Sequence, residues 1–120
     1  VRIRIIIPAS GRASIEAALA ALTGLNEAYF RTHPRAPSIR RSGIRYVREE
    51  LEDWQTAPVL LASRAGDCDD IAPYHAAWLR ARGERAAPTL REVRPGLWHV
   101  LVRRADGRIE DPSRWLGMGA

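Results

Sequence analysis

The chain predicts one small domain that mixes helices and strands, and three observations carry that expectation. Two stretches, 14–31 and 68–82, repeat apolar residues at helical spacing. The C-terminal stretch 89–111 instead reads as three extended segments, separated by Pro95-Gly96 and by Ala105-Asp106-Gly107. At 120 residues, 46% hydrophobic and 28% charged, the chain has the length and composition of a single packed domain rather than a disordered segment. One domain spanning 1–120 is expected, with an N-terminal strand and helical part over 1–53 and a core over 54–118.

Composition also narrows the partners. The net charge is +5, yet all 19 basic residues are arginine and only Arg40-Arg41 and Arg103-Arg104 are adjacent. A nucleic-acid footprint clusters its cations on one face, so no specific nucleic acid is expected. The single cysteine excludes an internal disulfide, and a reducing cytoplasm is the default location. No apolar run is long enough to span a bilayer, and no membrane association is expected. The opening Val1–Pro8 is too short and too basic for a signal peptide. Nothing in the composition speaks to oligomeric state.

Taken in order, Val1–Pro8 reads as a first strand. Ser14 then caps a helix over 14–31, whose apolar stripe is Ile15, Ala18, Leu19, Leu22, Leu25 and Tyr29. Gly24 weakens that helix, His33-Pro34 ends it, and Asn26, Glu27 and His33 read as solvated. A loop leads to a short strand over 43–48. Glu49, Glu50, Glu52 and Asp53 form an acidic patch closed by Trp54. Thr56-Ala57-Pro58 opens a short helix, because proline is tolerated in a first turn. The second long helix runs from 68 to Gly83, and Pro73 inside it demands either a kink or an irregular first turn. Strands follow over 89–94, 97–104 and 108–111. The tail 113–118 has apolar residues to dock but no clear period.

The chemistry concentrates at Gly66-Asp67-Cys68-Asp69-Asp70. Asp67 reads as an N-cap and Asp70, three residues on, completes a capping box. Cys68 then falls in the first helical turn, where unpaired N–H groups and the helix dipole favour a thiolate. Asp67, Asp69 and Asp70 oppose that effect by repulsion. A lone cysteine also serves as a small buried hydrophobe, so partners decide the reading. His75 lies two turns along the same helix, about 10 Å away and out of reach. His99, on a strand that follows the helix, is the candidate base. The turn at 105–107 then selects the third member. A two-residue loop would put Glu110 beside His99. A three-residue loop with Gly107 left-handed pairs Arg104 with Arg108 and sets Asp111 diagonal to His99 on one face, and Asp111 is the expected partner. An oxyanion hole would need the Cys68 N–H and a second donor, with Gln55 and Trp54 the upstream candidates. The aspartates match no closed metal motif, so neither a metal nor a cofactor is expected.

The order Gly-Asp-Cys-Asp-Asp at a helix start, His on a strand, and Asp-Pro after the next strand resembles the transglutaminase-like family of the papain-like cysteine-enzyme superfamily. The likeness runs from about Trp54 to Met118. It implies an α+β fold with helices packed on an antiparallel sheet, and a Cys68–His99–Asp111 triad. It also implies a thiol hydrolase acting on a peptide, isopeptide or related amide, with a peptide or protein as substrate. Compact versions occur among phage and prophage proteins, which makes a virion-associated location a second expectation. The rival expectation is a non-catalytic interaction or virion-assembly module that keeps the fold.

Overall fold

The computed structural model describes residues 11–48 and 53–119. The expected first strand, Val1–Pro8, and the acidic residues Glu49, Glu50 and Glu52 lie outside them. The fold is α+β. In chain order it comprises α1 (Arg12–Thr32), a 3-10 turn (Ile39–Arg41), β1 (Arg45–Tyr46) and α2 (Ala57–Ser63). These are followed by β2 (Ala65–Gly66), α3 (Cys68–Ala81), β3 (Ala87–Arg94), β4 (Leu97–Arg103), β5 (Ile109–Glu110) and α4 (Pro112–Trp115). Strands β3, β4 and β5 form an antiparallel sheet in sequence order, and β1 and β2 make a separate two-stranded parallel pair.

Helix α1 starts three residues earlier than Ser14 would have capped it, with Gly11 as N-cap and no side-chain cap bond. Its buried face is also turned from the expected stripe. Leu25 is exposed at 47%, whereas Thr23, Asn26 and Phe30 are buried. The cause is a polar contact. Asn26 Oδ1 accepts the backbone N–H of Ala57 at 2.7 Å, so a side chain on α1 caps the first turn of α2. Glu27 is not simply solvated either: it binds Arg31 of its own helix and Arg80 of α3. Gly24 is exposed and the helix passes through it.

Helix α3 is the central element. It packs on α1 and on β4, and it runs unbroken through the buried Pro73. One hydrophobic cluster joins Leu19 and Leu22 of α1, Ala72, Ala76 and Leu79 of α3, and Leu90, Val100 and Val102 of the sheet. A second joins Phe30, Ile39, Ile44, Leu60, Ile71 and Tyr74. Trp78 packs against both, and its indole N–H donates to Ala36 O at 3.1 Å. The expected strand over 43–48 contracts to Arg45–Tyr46, which pair in register with Ala65 and Gly66.

The 105–107 turn takes the three-residue form. Gly107 has φ +90°, its N–H donates to Arg104 O at 3.0 Å, and the Arg104 N–H donates to Arg108 O at 2.8 Å. Val102 pairs with Glu110 and Arg103 with Ile109, which carries the chain on to Asp111 opposite Leu101.

Gly66 shows how tightly the entry to α3 is packed. A Cβ there would lie 2.7 Å from Leu60 Cδ1 and 2.9 Å from the Asp70 carboxylate. Gly66→Ala is therefore expected to lower unfolding free energy by about 1–3 kcal/mol in urea denaturation. A variant as stable as the parent would show that this approach is not needed.

Candidate active site

The site starts from the cap of α3. Asp67 is the N-cap, and its side chain accepts the Asp69 N–H at 3.2 Å. The Asp70 carboxylate returns to the Asp67 N–H at 3.2 Å, completing the capping box. Asp70 is fully buried and does more than cap. It also accepts the Gln55 backbone N–H at 2.7 Å and the Gln55 side-chain amide at 3.4 Å. A buried carboxylate survives only with such donors around it.

Gln55 therefore has another task than the expected oxyanion contact. Its amide nitrogen also donates to Ala65 O at 2.8 Å, while its amide oxygen accepts the Ser63 hydroxyl at 2.7 Å. With two hydrogens and two acceptors, the Gln55 amide is committed to tying the 53–56 segment to β2 and α3. Trp54, the other candidate, is 3% exposed and packed in the first hydrophobic cluster.

Cys68 is the first residue of α3 and is half-buried, neither sealed under an indole nor open. It packs, as Trp98 does, against the first cluster, to which Val100 belongs. Its thiol is 3.9 Å from Asp69 Oδ1. Burial pushes its ionisation far above the ordinary thiol range, and Asp69, Asp67 and Asp70 add to the rise, against a smaller lowering from Val100. The thiolate favoured by the helix dipole alone is thus overridden by desolvation.

His99 is buried on β4, and its Nε2 lies 2.9 Å from Asp111 Oδ2. The register explains the pair, since the three-residue turn sets Asp111 on the His99 side of the sheet. Arg114 approaches the same carboxylate oxygen at 3.4 Å, and Asp111 Oδ1 is buried without a hydrogen-bond partner. Among the described residues no hydrogen bond joins Cys68 to His99.

The neighbouring residue of β5 makes the mirror-image pair. Glu110 Oε1 lies 2.8 Å from His75 Nε2, on the helix-facing side of the sheet. Glu110 also pairs with Arg104, which binds Glu84, so a chain of charges links β4 and β5 to the end of α3. His75, passed over because it cannot reach Cys68, is thus the second histidine–carboxylate pair of the fold. It is 6% exposed, stands edge-on to Trp115, and its Nδ1 has no partner. Nε2 accordingly carries the proton toward Glu110 in the neutral ring.

Comparison with known proteins adds little to this geometry. No family model matches the chain, and no curated protein matches it. A solved structure, a "putative cysteine protease" from Cytophaga hutchinsonii, matches 88% of this chain at 15% identity and a TM-score of 0.48. This chain covers only 39% of that protein, and a likeness so loose says nothing about chemistry. Among the described residues no helix is long and apolar enough to cross a membrane.

The second pair makes stability depend on pH. Burial lowers the His75 ionisation and outweighs the Glu110 bond that raises it. For Glu110, burial acts upward, but the bonds from His75 and Arg104 prevail and lower it. Below the unfolded histidine value of 6.5 the unfolded chain binds the extra proton first, so His75 makes stability fall as pH drops. Glu110 acts in the same direction below 4.5. The urea midpoint is expected to decline from pH 7 to pH 5, with a shallower decline in His75→Gln. An identical slope in that variant would remove His75 as the cause.

Proposed function

We propose that the protein is a thiol hydrolase of the transglutaminase-like, papain-like kind that cleaves a peptide, isopeptide or related amide bond. The observation that carries this reading is the His99–Asp111 pair, on the strand whose next residue, Val100, belongs to the cluster that Cys68 packs against. Asp111 accepts a hydrogen bond from Nε2–H and so fixes the tautomer, which leaves Nδ1 as the base.

The raised thiol ionisation decides the order of events. The resting sulfur is protonated, so His99 acts as general base during attack rather than within a standing thiolate–imidazolium pair. Sulfur bonds to the carbonyl carbon as its proton passes to Nδ1. The imidazolium returns that proton to the departing amine as the C–N bond breaks, leaving an acyl thioester on Cys68. Water then attacks the thioester with His99 again as base, releasing the acid and restoring the thiol.

A second reading is a non-catalytic interaction or virion-assembly module. It is favoured by the absence of a Cys68–His99 hydrogen bond among the described residues and by the protonated thiol. Alkylation by iodoacetamide separates the two. For the hydrolase, Cys68 labelling rises steadily from pH 6 to pH 9, and His99→Ala slows it at least about ten-fold at pH 8, general-base assistance being worth 10²–10⁴ when fully expressed. Labelling that His99→Ala leaves unchanged favours the module.

A further inference from the structure

We infer that the phenol of Tyr46 is the second oxyanion donor of this site, acting with the backbone N–H of Cys68. The inference rests on the thiol-hydrolase reading above and names the donor that reading lacks, since the Gln55 amide is committed elsewhere.

Tyr46 occupies the junction of the two segments that would carry the chemistry. It pairs in register with Gly66, two residues before Cys68. The next residue, Val47, donates its N–H to Gly66 O at 2.8 Å. On the other side, the Tyr46 N–H donates to Leu116 O at 3.0 Å, in the segment that continues from Asp111 through α4. The backbone of Tyr46 is thus held between the entrance to the nucleophile helix and the exit from the orienting carboxylate.

Its side chain has the right character. The ring is half-buried against the second hydrophobic cluster. The hydroxyl makes no hydrogen bond among the described residues and is not sealed away from a ligand. Burial pushes its ionisation up, and the negative charge of Asp67 adds to the rise, so it stays protonated and able to donate. The Cys68 N–H, at the first position of α3, is one of the donors that a helix leaves without an internal acceptor. As the sulfur–carbon bond forms, the carbonyl π pair moves onto oxygen, where the Tyr46 O–H and Cys68 N–H donate to it without releasing their protons. The pair returns as the leaving group departs.

The test uses p-nitrophenyl acetate, which acetylates the thiol and releases p-nitrophenolate, with iodoacetamide as a probe that passes through no oxyanion. Tyr46→Phe keeps the ring. It is expected to lower kcat for the ester about 10²-fold, with KM within about two-fold, while the iodoacetamide rate on Cys68 stays unchanged. Ester turnover equal to the parent overturns the inference while leaving the hydrolase reading intact. A parallel loss of iodoacetamide reactivity also overturns it, by showing that Tyr46 merely positions the helix. A parent protein whose turnover does not depend on Cys68 overturns both.

Discussion

The buried carboxylate of Asp70 is the interaction on which the candidate site depends. It takes the N–H of Asp67 to close the capping box and two donors of Gln55 to fasten the segment preceding α2. Gly66 must lack a side chain for that carboxylate to fit, and Gln55 must be an amide to bind Asp70 and Ser63 with opposite ends. Asn26 of α1 then fixes α2 through Ala57, so the start of α3 is braced by polar bonds from three directions. Each bond is worth about 1–3 kcal/mol when one partner is charged and both are buried. Removing one partner would strand a buried charge.

The same arrangement sets the chemistry. Setting Cys68 among aspartates surrounds it with negative charge, and packing it on the sheet removes water. Both effects keep the thiol protonated, which the helix dipole, worth at most about 2 kcal/mol, does not overcome. In the proposed hydrolase such a thiol would need a base that acts during attack, and the pairing of His99 with Asp111 suits that role because it fixes which ring nitrogen is free.

Glu110, the last residue of β5, and Asp111, which follows it, turn two consecutive carboxylates to opposite faces, Glu110 to His75 and Asp111 to His99. A one-residue slip in the 105–107 turn would exchange their roles, since side chains alternate along a strand. Gly107, left-handed at φ +90°, prevents that slip by permitting the three-residue form. A small turn thereby fixes which carboxylate serves the candidate active site and which serves the interior.

Local features of the chain were legible because they are written in adjacent residues. Asp67 and Asp70 declare a cap, Ala105-Asp106-Gly107 declares a turn, and apolar spacing declares α1 and α3. From these follow the mixed fold and the approach of Asp111 to His99. Contacts made across the fold left no such mark. Asn26 reads as a surface residue until α2 supplies an N–H for it, and His75 seems idle until β5 brings Glu110. Gln55 looks free to meet a substrate until Asp70, Ala65 and Ser63 claim its amide. The thiol's ionisation is legible only in part: the aspartates that raise it adjoin Cys68 in sequence, but the burial that raises it most comes from packing against the first cluster, whereas a cap or a turn depends only on its neighbours in sequence.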